Sequence, residues 1–321
     1  MKCSNNDHAA GRRELVEEIV RLKRDKKAVI LAHYYVDGSI QDIADHVGDS
    51  LALAQKAAAT AADAEIVVMC GVDFMADTVK VLCPDKKVLV PDMAAGCSLA
   101  DSCPADEFEA FVKAHPGYTV ISYVNTSVAV KALSDVLVTS GNARKIVKSF
   151  PQDAKLIFGP DRNLGAYINS VTGRDMLLWD GACHVHERFS AESIAALKEK
   201  YPGAPVLVHP ECKRPVVLMA DKVGSTAVLL KYALESDSDT FIVATESGIL
   251  HQMRKGAPHK TFIPAPPVDS TCGCNDCNYM KLNTLEKLRD CLRDETNEIN
   301  VEPALAAKAL IPINRMLELS K

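Results

Sequence analysis

The chain has 321 residues, 48% of them apolar and 25% charged, which is typical of a soluble globular protein with two or three domains. Its net charge of −5 argues against a protein that binds nucleic acid or an anionic membrane surface. The first residues lack the apolar stretch of a secretory signal, and no run of about 18 apolar residues predicts a membrane span. Eleven cysteines, an odd number, do not fit a secreted disulfide scaffold, so we expect a cytoplasmic protein.

Three short β-branched stretches, each ending in polar or aromatic residues, predict buried parallel strands that open into a site at their carboxyl ends. These stretches are KKAVILAHYY (26–35), GYTVISYVN (117–125) and GAPVLVHPE (203–211). A helical pattern follows each strand and has a hydroxyl residue near its start, namely Ser50, Ser140 and Thr226. Each hydroxyl lies 17 residues after a strand-end residue, namely His33, Tyr123 and His209. The equal offsets predict an internal repeat of three units.

The second half of each unit repeats as well. A further strand delivers an acid in each unit, namely Asp73, Asp161 and Glu246. A last extended segment then leads to a cysteine, namely Cys97, Cys183 and one of Cys272, Cys274 or Cys277. Strands that alternate with helices predict an α/β fold with parallel sheets. We therefore expect three tandem α/β/α domains related by pseudo-threefold symmetry around a central active site.

The predicted domains cover residues 12–97, 98–183 and 184–298, and we expect the C-terminal helix 302–321 to pack on the first of them. Because strand ends converge in such folds, three related units can bring three thiolates to one point. Three soft ligands favour either a 4Fe–4S cluster with one open iron or a zinc ion with an open position. The alternatives are therefore an electron-transfer iron–sulfur protein and a zinc-dependent lyase. A single cysteine is more often a small core residue, which is our interpretation of Cys70 and Cys291.

The helix-start hydroxyls have two interpretations. They can be simple N-caps, or they can mark helix N-termini that bind carboxylates or a phosphate. Polar side chains at the ends of the first strands are candidates for general acid and base groups, namely His33, Tyr35, Tyr123, Asn125, His209 and Glu211. His186 follows Cys183 by three residues and is expected beside the metal, with His184 as a weaker rival.

Several motifs together resemble the quinolinate synthase family. They are ILAHYY, QDIADHVGDSLALA, GVDFMADTVKVL, YVNTS, GPDRNLG, VHPEC and CNYMKLNT, and they follow one another through nearly the whole chain. The resemblance implies a transferase that condenses iminosuccinate (iminoaspartate) with dihydroxyacetone phosphate to quinolinate, releasing phosphate and water, in NAD biosynthesis. It also implies a functional link to an enzyme that produces iminoaspartate. No nucleic-acid or membrane partner is expected.

The resemblance implies a 4Fe–4S cluster whose open iron acts as a Lewis acid. The implied cluster ligands are Cys97, Cys183 and Cys277, and Cys277 is preferred to Cys272 and Cys274 because the family's ligand precedes x-x-M-K-x-N. The implied substrate-binding residues are His33, Ser50, Tyr123, Asn125, Ser140, His209, Glu211 and Thr226. The candidate catalytic residues are Glu211, Tyr35, His33, His209 and His186.

Overall fold

The structure is a computed structural model that describes residues 4–60, 64–268 and 275–321. Cys272 and Cys274 therefore lie outside the described residues. The chain divides into two compact units. The first contains the residues up to Gly96 together with Asn278–Val301, and the second contains Cys97–Cys277 together with Glu302–Lys321. Among the described residues, no helix combines the length and the apolar character needed to cross a membrane.

The first unit begins with eight elements: α1 (Ser4–Asp25), β1 (Ala28–His33), α2 (Gly38–Ile43), β2 (His46–Gly48), α3 (Ser50–Thr60), β3 (Ile66–Cys70), α4 (Asp73–Leu82) and β4 (Lys87–Leu89). The second unit then starts with α5 (Ser98–Asp101), α6 (Ala105–Lys113), β5 (Thr119–Tyr123), α7 (Val128–Ala132), β6 (Val136–Val138), α8 (Ala143–Ser149), β7 (Leu156–Gly159), α9 (Arg162–Thr172) and β8 (Leu177–Leu178).

The second unit continues with a 3₁₀ turn (His186–Arg188), α10 (Ala191–Lys200), β9 (Val206–Val208), α11 (Arg214–Val217), β10 (Lys222–Val223), α12 (Thr226–Glu235), β11 (Thr240–Ala244), α13 (Ile249–Gly256) and β12 (Thr261–Pro264). The chain returns to the first unit with a 3₁₀ turn (Met280–Leu282) and α14 (Leu285–Asp294), and it ends in the second unit with α15 (Pro303–Leu319).

The strands form three four-stranded sheets with one shared topology. Their orders are β2-β1-β3-β4, β6-β5-β7-β8 and β10-β9-β11-β12, and every pairing within them is parallel. In each order the first strand of the repeat lies between the second and the third. The prediction of an α/β fold with three tandem parallel-sheet domains is confirmed. Each sheet falls within one of the predicted ranges 12–97, 98–183 and 184–298, although the limits themselves stay a prediction.

A repeated aspartate fixes the register of the first two strands in each sheet. One carboxylate oxygen accepts a hydrogen bond from a backbone N–H located 15 residues earlier in the chain. The aspartates are Asp45, Asp135 and Asp221, and their donors are Ile30 at 2.8 Å, Val120 at 2.7 Å and Val206 at 2.8 Å. Each aspartate immediately precedes the second strand of its sheet. The hydrogen bond therefore occurs at the amino end of the first strand, away from the end where the predicted site residues lie.

The central strands are buried on both faces, which explains their continuous apolar sequences. Ile30 and Leu31 of β1 have no exposed surface, and the same holds for Val206 and Leu207 of β9. Phe108 from α6 packs edge to face against Trp179, which follows β8, with 5.5 Å between the ring centroids. These cores leave the carboxyl ends of the strands as the places where polar side chains collect.

The C-terminal helix packs on the second sheet, so the prediction that residues 302–321 pack on the first domain is wrong. α15 lies against α7 and β6, and it buries Ile313 and Met316 completely. Two polar contacts fix this position. Asn142 Nδ2 donates to Ser320 Oγ at 2.9 Å, and Arg315 Nη1 donates to the backbone carbonyl of Asp135 at 3.2 Å. The apolar face of a terminal helix shows that it must be covered but does not identify its partner.

Replacing Ile313 with alanine should lower the free energy of unfolding of the protein by about 2–5 kcal/mol, because it empties a fully buried position of α15. Chemical denaturation measures the change. Ile311→Ala in the same helix is the matched control, since Ile311 is 68% exposed, and it should change the free energy by less than about 0.5 kcal/mol. Equal effects of the two substitutions would contradict this packing of α15.

Candidate functional site

Side chains from the carboxyl ends of β5, β9 and β11 meet in the second unit. Tyr123 is the last residue of β5, and His209 and Glu211 follow β9. Thr245 directly follows β11. Tyr123, His209, Glu211 and Thr245 are each at most 5% exposed. Because parallel strands place their carboxyl ends at one edge of a sheet, the topology gathers these residues in one place.

The Glu211 carboxylate lies at the centre of this group. Tyr123 Oη donates to Glu211 Oε1 at 2.5 Å. His186 Nδ1 lies 3.0 Å from Glu211 Oε2, and His209 Nδ1 lies 3.8 Å from Glu211 Oε1. One carboxylate therefore contacts three residues that the sequence analysis selected as candidates.

The two histidines form a stack that extends this network. Their ring centroids are 4.5 Å apart, with 25° between the ring planes. His209 Nε2 lies 3.3 Å from Ser140 Oγ, and His186 Nε2 lies 3.0 Å from Thr245 Oγ1. Sequence reasoning missed Thr245, although its place between β11 and Glu246 matches the strand-end positions that pointed to other residues.

Burial would raise the pKa of the Glu211 carboxyl, but the positive charges of His209 and His186 and its hydrogen bonds outweigh this and hold the pKa at about 2. Glu211 is therefore an anion at neutral pH. Burial, followed by the Glu211 charge, raises the pKa of the Tyr123 hydroxyl well above its usual range. Tyr123 therefore keeps its proton and acts as a hydrogen-bond donor beside an anionic acceptor.

The three predicted cysteine ligands lie in segments that contact one another. Ser98, next to Cys97, has its Oγ 2.5 Å from Nδ1 of His184, next to Cys183. Asn275 Nδ2, two residues before Cys277, donates to the backbone carbonyl of Val185 at 2.8 Å. His184, the weaker histidine candidate, thus joins two cysteine segments.

The thiols also share an electrostatic environment. Burial raises the pKa of the Cys97 thiol to about 12, and negative charge on Cys277 and Glu211 adds to the effect. Burial, Glu211 and Cys97 raise the pKa of the Cys183 thiol well above its usual range. The Cys97 and Cys183 thiols are therefore held in the protonated form, and a bound cation would convert such thiols to thiolates.

A possible metal-binding group overlaps this arrangement. Donor atoms of Cys183, His186 and Glu211 lie within 4.8 Å of one another. His186 Nδ1 is 3.3 Å from Cys183 Sγ. The thiolate, imidazole and carboxylate are ligand types that iron and zinc accept. The His186 ring therefore lies between the cysteine segment and the Glu211 network.

The helix-start hydroxyls are not the N-caps in this structure. Ser225 accepts from the backbone N–H of Val228 at 3.4 Å and caps α12, whose first residue is Thr226. Ser140 lies two residues before Asn142, the N-cap of α8. A Cβ atom added to Gly141 would lie 3.4 Å from Ser225 Oγ, so the Ser140 turn and the start of α12 are neighbours. The capping interpretation is wrong for Thr226 and Ser140, because Ser225 is the N-cap of α12 and Asn142 is the N-cap of α8.

Asn125 lies two residues beyond the end of β5. Its Oδ1 atom is buried and accepts no hydrogen bond from any residue in the described ranges. A buried carbonyl oxygen without a donor is rare in proteins and suggests a missing partner. The side chain of Asn125 is therefore suited to accept a hydrogen bond from a ligand.

His33, Tyr35 and Ser50 belong to the first unit, where they have their own local contacts. The backbone N–H of Tyr35 donates to His33 Nδ1 at 3.2 Å, and the two rings meet edge to face at 4.5 Å. Lys281 Nζ donates to the backbone carbonyl of Tyr35 at 2.7 Å. Ser50 is the first residue of α3, and Asp49 accepts from the N–H of Ala52 at 3.0 Å. Ser50, like Thr226, is thus preceded by the residue that accepts from the helix start.

The sequence matches a known protein family over most of its length. A family model described as quinolinate synthetase A protein matches residues 17–318. The chain belongs to the quinolinate synthetase A family. Curated relatives named quinolinate synthase support the assignment. The one from Thermosynechococcus vestitus is 57% identical over 96% of each chain. The one from Chloroherpeton thalassium is 53% identical over 96% of this chain and 95% of its own length.

The family assignment confirms the resemblance that the sequence motifs suggested. The matched region includes all thirteen predicted site residues, the first being His33 and the last Cys277. The second unit contains ten of them, and the first unit contains His33, Tyr35 and Ser50. The individual roles of these residues in a quinolinate synthetase A protein stay predictions.

Replacing Glu211 with glutamine should speed the alkylation of Cys97 and Cys183 several-fold in the metal-free protein at mildly alkaline pH. The Glu211 charge helps to raise both thiol pKa values, so its removal lowers them and increases the thiolate fraction. Mass spectrometry of the labelled peptides measures the rates. Cys103 is the internal control, because burial and Glu107 raise its pKa to about 12. Equal acceleration at Cys103 would indicate a loosened fold and contradict the electrostatic explanation.

Proposed function

We propose that this protein is a quinolinate synthase that condenses iminosuccinate with dihydroxyacetone phosphate to quinolinate, releasing phosphate and water, as a step of NAD biosynthesis. We propose a 4Fe–4S cluster as its cofactor, with Cys97, Cys183 and Cys277 as the ligands. The observation that carries this proposal is the pair of contacts, Ser98 to His184 and Asn275 to Val185, that joins the three cysteine segments. Family membership supports the reaction, and these contacts support the ligand set.

The residues present suit an iron–sulfur cluster. Three thiols are the soft ligands that such clusters prefer, and a three-cysteine set leaves one iron without a protein ligand. Each of the three cysteines is partly exposed, whereas the other five described cysteines are buried. When it is bound, a cluster with an open iron supplies a Lewis acid that polarises a substrate oxygen.

The second unit offers matching groups for a dicarboxylate substrate. The Ser140 turn lies beside the start of α12, where Thr226 is the first residue. Hydroxyls and a helix N-terminus both stabilise a carboxylate. The Oδ1 atom of Asn125 would accept from the imine N–H of iminosuccinate, which would satisfy the buried oxygen. We infer that these three residues orient iminosuccinate.

Glu211 is the residue best suited to support proton transfer by the two histidines. It is buried, anionic at neutral pH and supported by His186 and His209, which can take on the positive charge that balances it. Tyr123 keeps its proton because its pKa is raised, so it can donate a hydrogen bond. We propose that the two histidines accept and relay protons of the substrate, that the Glu211 carboxylate stabilises their charged forms, and that Tyr123 holds the substrate by a hydrogen bond.

Three finer points rest on the family alone. We propose that His33, Tyr35 and Ser50 bind substrate, as the motif match suggests. The instability of an imine in water favours a supply of iminosuccinate from an enzyme that produces it. A cytoplasmic location, where pyridine nucleotides are made, accords with this role.

A zinc-dependent lyase is the second candidate, because Cys183, His186 and Glu211 are also a plausible zinc set. Anaerobic purification followed by counts of iron, sulfide and zinc distinguishes the two candidates. The same preparation is then assayed for quinolinate with iminosuccinate and dihydroxyacetone phosphate. Zinc without iron, or a fully active protein after chelation, would contradict the proposed function.

Replacing Cys97, Cys183 or Cys277 with serine should abolish the brown colour, the absorbance near 400 nm and the formation of quinolinate, because three ligands are the fewest that hold the cluster. Cys272→Ser is the matched control, and it should retain both colour and activity. Iron and sulfide analysis of the reconstituted proteins measures the outcome. Retention of a full cluster in any one of the first three variants would remove that cysteine from the ligand set.

Replacing Glu211 with glutamine should lower kcat for quinolinate formation by about 10²–10⁴-fold, as expected when acid–base catalysis by the two histidines loses the carboxylate that supports it. The iron and sulfide content should remain that of the unaltered protein. Glu235→Gln on α12 is the matched control, because Glu235 pairs with Lys231 at the surface, at 3.8 Å, and its side chain is 67% exposed. A kcat of Glu211→Gln within twofold of the unaltered value would exclude Glu211 from the proton transfers.

A further inference from the structure

We propose that Asp161 and Glu246 are positioning residues that fix Cys183 and Cys277 through the backbone N–H group of each cysteine. This inference rests on the proposed function, since it assumes that these cysteines bind the cluster. Neither acid is among the candidate catalytic or substrate-binding residues. Both were recognised in the sequence only as acids that follow equivalent strands.

Asp161 uses both carboxylate oxygens on backbone N–H groups. Oδ1 accepts from Leu164 in the first turn of α9 at 2.6 Å, and Oδ2 accepts from Cys183 at 3.2 Å. The backbone reinforces this link, because Arg162 N donates to Gly181 O at 2.8 Å. The carboxylate thus joins the end of β7 to the cysteine segment 22 residues later.

Glu246 repeats this arrangement in the third sheet. Oε2 accepts from Gly248 at the start of α13 at 2.7 Å, and Oε1 accepts from Cys277 at 3.1 Å. Ser247 also donates a hydrogen bond to Asp276, the residue before Cys277. The link here spans 31 residues. In both sheets one oxygen holds the start of a helix and the other holds a ligand cysteine.

The first sheet has an acid at the corresponding place. Asp73 Oδ1 accepts from Phe74 at the start of α4 at 2.6 Å, and Asp73 N donates to Ala95 O at 2.8 Å. A Cβ atom added to Gly96 would lie 3.8 Å from Asp73 Oδ2. Within the first unit, this acid is therefore linked to the segment that precedes Cys97.

Simple helix capping does not explain these acids. Asp161 and Glu246 have no exposed surface, and burying a carboxyl group is costly, whereas serine or threonine would cap a helix at less cost. A carboxyl group differs from those residues because each of its two oxygens can accept a hydrogen bond from an N–H group. The need to hold two N–H groups at once accounts for its presence. Groups that orient metal ligands in this way commonly change metal affinity when they are removed.

The test compares Asp161→Asn and Glu246→Gln with the unaltered protein, each reconstituted with iron and sulfide without oxygen. A side-chain amide has the same shape but only one acceptor oxygen. One of the two backbone N–H groups would therefore face the amide NH₂ group, which cannot accept its hydrogen bond. We expect a ferrous chelator to remove iron about tenfold faster or more from both variants, measured by the decay of the cluster absorbance. Removal at the unaltered rate in both variants would overturn the inference.

Asp135→Asn is the matched control. It makes the same chemical change at a carboxylate that accepts the Val120 N–H at the amino end of β5. It should lose iron at the rate of the unaltered protein. Equally fast loss in this control would show a general structural effect and overturn the inference.

Hydrogen exchange of the metal-free proteins separates this inference from the proposed function. The peptide that contains Cys277 should exchange faster in Glu246→Gln than in Asp135→Asn, and the peptide that contains Cys183 should exchange faster in Asp161→Asn. If the unaltered protein binds no cluster but these peptides respond, the proposed function fails and the backbone link stands. If the cluster binds and the peptides do not respond, the link fails and the proposed function stands.

Discussion

The buried charge of Glu211 is the constraint on which the site in the second unit depends. An ionised carboxylate removed from water is tolerated only when nearby groups replace its hydration. Here the replacement comes from Tyr123 at the end of β5, His209 after β9 and His186 in the 3₁₀ turn. These residues belong to different sheets and segments, so the charge can be satisfied only when the ends of the second and third sheets are assembled together. The same charge raises the pKa of the Cys97 and Cys183 thiols, which links this carboxylate to the proposed cluster ligands.

The three sheets share one strand order, but the amino and carboxyl ends of their strands have different roles. At the amino end the same residue type recurs, because Asp45, Asp135 and Asp221 perform one structural task in all three sheets. At the carboxyl end the equivalent positions hold two residue types, histidine at His33 and His209 and tyrosine at Tyr123. The register of the first two strands in each sheet therefore depends on the repeated aspartate at the amino end. The side chains at the carboxyl end can then differ between the sheets. This division is common in parallel α/β folds, where function collects at the carboxyl ends of strands.

Much of the fold could be predicted because strand ends and spacing are local features of the sequence. The first strands, the equal offsets and the acids all follow from patterns within single repeats, and so did the selection of Tyr123, His209 and Glu211. The errors concern choices that local patterns do not decide. The apolar face of α15 does not indicate which sheet covers it, and only contacts such as Asn142 with Ser320 identify the partner. Thr226 was interpreted as a possible cap because two neighbouring hydroxyl residues offer the same chemistry, and the backbone selects Ser225. Thr245 was missed because threonine is common in strands, so its residue type did not add to the strand-end signal of its position.

The links from Asp161 and Glu246 also explain how the second and third sheets position Cys183 and Cys277. The chain between each acid and its cysteine includes a helix and a strand, 22 residues in one case and 31 in the other. If the cysteine were held only by its own loop, such differences in length would change the direction of its thiol. A hydrogen bond from the cysteine N–H to an acid at a fixed strand end removes that dependence, since the sheet then sets the backbone position. Intervening segments of different length can therefore place Cys183 and Cys277 at equivalent positions, one at the end of the second sheet and one at the end of the third.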